Sequence, residues 1–246
     1  MNRRTAKGAV AAGHAATAEA AAFALREGGN AFDAAIAAHW TACVAEPVLT
    51  SLGGGGFLLA QRDNGRACIY DFFAQTPGHK QPDTEIDFHP IHADFGTTLQ
   101  EFHIGYGAVA TPGTVRGLYA IHRDLGSLPM PVLMEPAVEL AGKGLRINRL
   151  QAFILDVVRP VYLATPRAAQ RFASRSDANT LVGEGETLYQ PELADTLNAL
   201  GSEGERLFYE GDIAAEIESA CRSTGGHLRR EDLAAYRVIK RDPLRI

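Results

Sequence analysis

Residues 53–73, GGGGFLLAQRDNGRACIYDFF, constrain the fold of this chain more than any other stretch. Two apolar runs flank Asp63-Asn64-Gly65. Asn-Gly between such runs is the strongest short-range signal for a β-hairpin, because both residues tolerate the positive φ of a type I′ turn. Strands are expected at about 55–61 and 66–73. A two-stranded hairpin is marginal in water by itself, so the rest of the chain must pack on it. Gly53 to Gly56 cost backbone entropy at every position, and either close approach or positive φ must require them. They read equally well as a tight loop after Pro47 or as the wall of an active site. A phosphate loop would follow a strand and open a helix, whereas this run leads into a strand and no Gly-x-x-x-x-Gly-Lys-Ser/Thr occurs, so nucleotide binding is not expected.

Helices precede and follow the hairpin. Residues 15–28 are dominated by alanine, leucine, arginine and glutamate and end in Gly28-Gly29, a left-handed C-cap signal. Asn30 reads as the N-cap of a second helix with Asp33 in its first turn, ending before Glu46-Pro47. The alanine content of both suggests that they pack against one sheet. Residues 78–104 are rich in Pro, His, Asp and Gly without periodicity and read as a loop or lid-like excursion. Thr111-Pro112-Gly113-Thr114 opens a further helix with proline in its first turn, closed by Gly126. Helical patterns then recur at about 131–142, 148–163, 190–200, 210–223 and 229–236, before the strand-like YRVIKRDPLRI. The expectation is one α/β (α+β) unit over 1–246, with 1–77 forming helices plus hairpin and 78–246 mainly helical.

Composition removes several function classes. With 46% hydrophobic and 22% charged residues the chain can bury a core, and a net charge of −5 without a basic run argues against nucleic-acid or anionic-membrane partners. Cys43, Cys68 and Cys221 lie far apart without Cys-x-x-Cys spacing, and read as reduced core residues. Arg3, Arg4 and Lys7 are followed by an Ala/Gly-rich stretch containing His14 and Glu19. That is no signal-peptide pattern, and it implies a cytoplasmic protein unless the N-terminus is incomplete, when a periplasmic or secreted one stays open.

Weighed singly, the reactive residues make no catalytic constellation. His89, His92 and His103 lack the three or four convergent ligands of a zinc site and read as solvated loop histidines, so no metal or cofactor is expected. His39 reads as a satisfied core histidine. Glu46 and Asp71 read as a turn anchor and a strand-end polar residue, Glu231 and Asp232 as a helix first turn. No Gly-x-Ser-x-Gly elbow or catalytic-cysteine signature occurs.

Six segments in order resemble the gamma-glutamyltranspeptidase family: Gly8-Ala9-Val10-Ala11 with His14; Gly28 to Ala35; Glu46-Pro47 with Gly53 to Phe57; Asp71-Phe72; Thr111 to Gly117; and Gly225-Gly226 leading to Glu231 through Tyr236. The resemblance implies the αββα sandwich of the Ntn hydrolases, incomplete here, with this chain as part of the large subunit. It implies a precursor that cleaves itself, freeing a threonine whose hydroxyl is the nucleophile and whose α-amine is the base. That threonine is expected beyond Ile246, at the start of a C-terminal small subunit that is this chain's partner, so no catalytic residue is expected within 1–246. Family members carry an arginine two residues after the aspartate of the second hairpin strand, pairing with the α-carboxylate of a glutamyl group, and then an acidic residue. Here those positions are Phe73 and Ala74. An arginine–carboxylate bond is charge-assisted and often bidentate, and phenylalanine offers no donor. The implied substrate is a small-molecule amide, γ-glutamyl or an unrelated acyl amide of the cephalosporin or glutaryl type, with a catalytically inactive binding module as the alternative from another class. A further alternative has Phe73 packed in the core and Arg116 or the missing subunit supplying the cation.

Overall fold

The computed structural model of the protein describes residues 8–244. The reading of Arg3, Arg4 and Lys7 lies outside the described residues, as does the chain end at Arg245-Ile246. The element order is α1 (Ala15–Arg26), α2 (Ala31–Ala45), β1 (Phe57–Gln61), β2 (Ala67–Asp71), β3 (His89–Asp94), β4 (Leu99–Ile104), α3 (Thr114–Leu125), α4 (Met130–Lys143) and β5 (Leu145–Arg146). There follow α5 (Arg149–Val157), α6 (Arg159–Tyr162), α7 (Pro166–Phe172), β6 (Thr187–Leu188), α8 (Pro191–Glu203), α9 (Arg206–Tyr209), α10 (Asp212–Ser223), α11 (Arg230–Ala235) and β7 (Ile239–Arg241). No helix among the described residues is long and apolar enough to cross a membrane.

The hairpin forms, with shorter strands than expected and a different turn. Gly65 N–H bonds the Arg62 carbonyl at 2.9 Å, and Arg62 N–H bonds the Arg66 carbonyl at 3.0 Å. Gly65 has φ +76°, and no described non-glycine residue has positive φ. The connection is therefore a three-residue loop, a type I turn closed by a left-handed glycine bulge, instead of type I′. Asn64 contributes through its side chain, accepting from Arg66 N–H at 3.0 Å. β7 adds antiparallel to β2, with Asp71 opposite Ile239 and Ile69 opposite Arg241, so the strand-like tail becomes the third strand of a β1-β2-β7 sheet.

One sheet face is covered and the other is not. Ala60, Tyr70 and Phe72 join a core with Ile36 and Trp40 of α2, Leu118 and Ile121 of α3, Leu133 and Met134 of α4, Leu197 of α8, Tyr209 and Tyr236. This core draws on both 1–77 and 78–246. α2 is buried along ten of its fifteen residues, which is why its apolar pattern runs around the whole helix. The expectation that α1 and α2 both lie on the sheet is corrected for α1, which packs chiefly on α2; α2 lies between α1 and α4 and reaches the sheet face through Ile36, His39 and Trp40, beside α3, which packs on β2. Small alanine side chains allow the close helix–helix approach. On the outer face Phe57, Leu59 and Ile239 remain 60%, 64% and 42% exposed. A helix layer on one face of a sheet whose other face is bare and apolar is one half of an αββα sandwich.

Caps fix the helix ends much as the sequence implies. Asn30 and Asp33 form a reciprocal capping box on α2, and Gly28 closes α1 at φ +92°. Pro112 is not in the first turn of α3, because Gly113 is the N-cap and the proline precedes it. The reading of 78–104 as irregular is also corrected. β3 and β4 pair as an antiparallel hairpin with His92 opposite Glu101, and β3 packs on α6. Its alternation is hard to see in sequence because most of its side chains face solvent on both sides. The 148–163 pattern is two helices, α5 and α6, and α7 and α9 were not anticipated.

Candidate functional site

Beyond the last ladder residue of β2 the chain continues extended through Phe72, Phe73 and Ala74, held by three separate segments and by Asp71 of its own strand. Phe72 exchanges both backbone bonds with Gly56, at 3.0 and 3.2 Å. Phe73 N–H donates to Asp71 Oδ1 at 3.1 Å, and the Tyr236 hydroxyl donates to the Phe73 carbonyl at 2.9 Å. Gln75 and Thr111 exchange backbone bonds at 3.1 and 2.8 Å. Gly113 and Thr114 N–H groups, at the start of α3, both donate to the Gly54 carbonyl.

The glycine run acquires its reason here. A Cβ on Gly55 would lie 2.6 Å from both Ala74 N and Phe72 O, and one on Gly113 would overlap the Phe72 carbonyl and the Tyr236 hydroxyl. None of Gly53 to Gly56 has positive φ; close backbone approach to residues 72–74 is the requirement at Gly55, a Cβ on Gly56 would press on the Phe72 ring at 3.0 Å, and one on Gly53 would meet only Ser51 Oγ at 3.8 Å.

Phe73 is 57% exposed, and its ring lies on Phe57 with centroids 5.6 Å apart and planes 16° apart, an offset stack. Ala74 beside it is half-buried. The alternative in which Phe73 enters the core is thereby corrected: the buried ring at this strand end is Phe72. The replacement role for Arg116 is corrected as well. Its guanidinium pairs with Glu205 at 3.3 Å, donates to the Tyr236 carbonyl at 3.1 Å and lies 4.2 Å over the Tyr209 ring. Asp71 Oδ2 accepts Arg241 Nε and Nη2 at 2.8 Å, so this carboxylate holds Phe73 N–H on one oxygen and β7 on the other. Lys240 likewise ties β7 down through Asp124, at 2.6 Å, and Asp124 also accepts the Tyr70 hydroxyl at 2.8 Å. Burial, reinforced by Asp124, pushes the Tyr70 hydroxyl up to about 12.

The other singled-out residues do not converge on this strand end as a reactive cluster. Glu46 is the C-cap of α2, its carbonyl accepting Leu49 and Thr50 N–H and its carboxylate accepting the Thr17 hydroxyl, as a turn anchor should. Glu231 and Asp232 occupy the first turn of α11, where Asp232 also receives Gly78 N–H at 2.7 Å. His92 and His103 each stand 3.7 Å from Glu101 on the β3–β4 hairpin, and His89 is 3.4 Å from Asp87. Among the described residues no group of three His, Cys, Asp or Glu side chains is arranged to hold a metal ion. His39 is not satisfied: its Nε2 is buried without a hydrogen-bond partner among the described residues, and burial lowers its pKa to about 4. Cys43 and Cys221 are buried, Cys68 is half-buried, and all three are free. The residues missed in the sequence were Phe57, Tyr236 and Arg241 as supports of Phe73. Only strand register and α11 placement reveal them.

A family model described as Gamma-glutamyltranspeptidase matches residues 17–246. The chain belongs to the gamma-glutamyltranspeptidase family. It is 32% identical over 241 residues to the glutathione hydrolase proenzyme of Escherichia coli K12, covering 98% of this chain and 40% of that protein. The glutathione hydrolase proenzyme of Pseudomonas aeruginosa is 31% identical, with 97% of this chain and 41% of that protein covered. The chain thus spans about 40% of the length of these family members. Among solved structures, Helicobacter pylori gamma-glutamyltranspeptidase superposes with a TM-score of 0.84 at 30% identity, covering 98% of this chain and 67% of that one. A cephalosporin acylase from Bacillus halodurans matches with a TM-score of 0.75 at 25% identity, over 94% of this chain and 42% of that one. The family fold therefore accounts for the mixed helix-and-sheet architecture.

Proposed function

We propose that a family-length form of this protein cleaves an amide by acyl transfer, and that this chain contributes the helix-backed half of the sandwich and the wall of the acyl site at Phe73 and Ala74. In this reading an N-terminal threonine beyond Ile246 supplies the nucleophile. Its hydroxyl oxygen bonds to the amide carbonyl carbon, the hydroxyl proton passes by way of the threonine α-amine to the leaving amine, and the C–N bond breaks. Water or a second amine then releases the acyl group and restores the hydroxyl. The C-terminal small subunit from the same precursor is the partner that covers the outer sheet face. Exposed Phe57, Leu59, Phe73 and Ile239 support that partner, because so large an apolar face is costly to leave in water.

The observation that carries the substrate reading is the exposed, main-chain-locked Phe73. A γ-glutamyl group brings an α-carboxylate to this position, and burying it against phenylalanine without a donor costs several kcal/mol, each ~1.4 kcal/mol being tenfold in affinity. The proposed substrates are therefore acyl amides with a neutral or aromatic acyl chain that brings no carboxylate to this position. The test uses the family-length gene product. Self-cleavage is read by mass spectrometry of the two fragments, and kcat/KM is compared for γ-glutamyl and pentanoyl anilides, the second lacking any carboxylate, in the unmutated enzyme and in Phe73→Arg. The expected result is self-cleavage, a preference for the pentanoyl substrate, and a narrower gap in the variant. Absence of self-cleavage would favour the binding-module alternative, and efficient γ-glutamyl cleavage by the unmutated enzyme would sink the role of Phe73.

A further inference from the structure

The ladder between β2 and β7 stops one pair short of Phe73. Phe72 uses both of its backbone groups on Gly56, so by the alternation of an antiparallel ladder the N–H and C=O of Asp71 and of Phe73 point the other way, toward β7. Asp71 has its ladder partner there in Ile239, but β7 begins at that residue and no strand position stands opposite Phe73. Two side chains take the place of the missing pair. The Asp71 carboxylate accepts Phe73 N–H at 3.1 Å, and the Tyr236 hydroxyl donates to the Phe73 carbonyl at 2.9 Å. At this residue, therefore, main-chain position depends on side chains, and a single substitution can release it.

Tyr236, the C-cap of α11, is itself held on three sides. Its ring is 1% exposed and stacks on Tyr209 with centroids 5.9 Å apart and planes 19° apart, and its carbonyl accepts Arg116 Nη1 at 3.1 Å. Tyr209 is fixed in turn: its hydroxyl donates to the Pro112 carbonyl at 2.9 Å and accepts Arg116 N–H at 3.1 Å, while the Arg116 guanidinium lies 4.2 Å over its ring. Gly113 leaves the Tyr236 hydroxyl its space, because a Cβ there would overlap it. Burial, reinforced by the Asp71 charge, raises the pKa of this hydroxyl, which therefore stays protonated and donating. We propose that Tyr236 is a positioning residue of the acyl site: its hydroxyl fixes the Phe73 peptide, and with it the wall that meets the acyl chain, while Arg116 and Tyr209 hold Tyr236 in place. This rests on the acyl-transfer reading above. The segments at α9 and α11 thereby act on the acyl chain through Phe73, with no contact of their own.

The test measures kcat and KM for pentanoyl and acetyl anilides in the self-cleaved, family-length enzyme, in Tyr236→Phe, in Phe73→Ala and in the double variant. Tyr236→Phe keeps the ring and removes one hydrogen bond, an effect of about threefold to tenfold. KM for the pentanoyl anilide should rise by that factor while kcat changes much less, the pattern of lost ground-state binding. The acetyl anilide should be affected severalfold less, because a single methyl group meets less of the wall. In the Phe73→Ala background the same substitution should add nothing, since the ring that Tyr236 positions is gone. A merely structural tyrosine would lower kcat for both amides alike and would do so with or without the Phe73 ring. That result, or an unchanged pentanoyl KM, overturns the proposal and leaves the acyl-transfer reading standing. Should Tyr236→Phe fail to self-cleave, Arg116→Lys, which frees the Tyr236 carbonyl, takes its place in the same cycle with the same outcomes for and against. If the unmutated precursor stays intact and cleaves neither amide, the acyl-transfer reading itself has failed and this inference with it.

Discussion

Asp33 offers a stringent check on how the helical layer is held together. Its side chain is fully buried at the third position of α2, with no cation paired to it among the described residues. Oδ1 accepts Ser127 N–H at 2.9 Å and Leu128 N–H at 3.3 Å, and Oδ2 accepts Asn30 N–H at 2.8 Å and the Ser127 hydroxyl. One carboxylate thus joins the start of α2 to the turn between α3 and α4. Burial by itself would raise its pKa, but these bonds outweigh it and hold the carboxyl below its ordinary value. In Asp33→Ala three backbone N–H groups lose their acceptor, and at ~1–3 kcal/mol per unsatisfied buried donor the cost is about 4 kcal/mol once partial hydration is allowed. In Asp33→Asn the amide oxygen can keep the Ser127 and Leu128 donors, and the Ser127 hydroxyl can turn to accept from the amide nitrogen. Only Asn30 N–H then faces a donor, so the cost is about 2 kcal/mol. Because the folded pKa lies below the unfolded value near 3.9, this contribution is fully present above about pH 4 and is lost as pH falls further. Urea unfolding of residues 1–246 can be followed by the fluorescence of the single tryptophan, buried Trp40, at submicromolar concentration. The expected order at pH 7 is unmutated, then Asn, then Ala, with the gap to Asn shrinking at pH 3. An Asn variant as stable as the unmutated chain at pH 7, or a gap that widens in acid, would refute this account.

His39 should set a separate acid window. With its pKa lowered by burial to about 4, the unfolded chain binds its proton first as pH falls below about 6.5, so up to about 3 kcal/mol is lost between pH 6.5 and 4; His39→Leu should flatten that slope in the same unfolding assay. Residues 1–246 expressed alone should associate through the bare sheet face, and Leu59→Lys with Ile239→Lys should raise the monomer fraction in gel filtration; an unchanged elution profile would count against that face as the cause. Gly113→Ala should cost about 3 kcal/mol or more, because its methyl group has no space between Phe72 and Tyr236, and a Trp40 unfolding midpoint matching the unmutated chain would show that the 72–74 segment can yield. The same polypeptide should show no turnover of γ-glutamyl or glutaryl anilides at any pH. Hydrolysis by clean protein that disappears on mutating a residue within 1–246 would contradict the expected location of the nucleophile.

What the sequence determined by itself is the local grammar and the family. Ala-rich runs, the Asn30–Asp33 cap, the left-handed Gly28 and the apolar runs about Asn64-Gly65 each act over a few residues, so they survive without knowledge of the fold. The ordered motifs from Gly8 to Tyr236 likewise marked the family, and the departure at Phe73 was visible as a residue type. Tertiary structure decided the rest, because the deciding contacts join residues far apart in the chain. Four glycines in a row look alike as a loop or as a wall until Gly55 is placed against Phe72 and Ala74. The β3–β4 hairpin had too few buried positions to impose a period of two on its sequence. Phe73 could have been core or surface by hydrophobicity alone. Its exposure follows from strand alternation, which sends Phe72 inward among α2 and α3 and leaves Phe73 outward on Phe57, and from a tyrosine 163 residues away that holds its carbonyl in place.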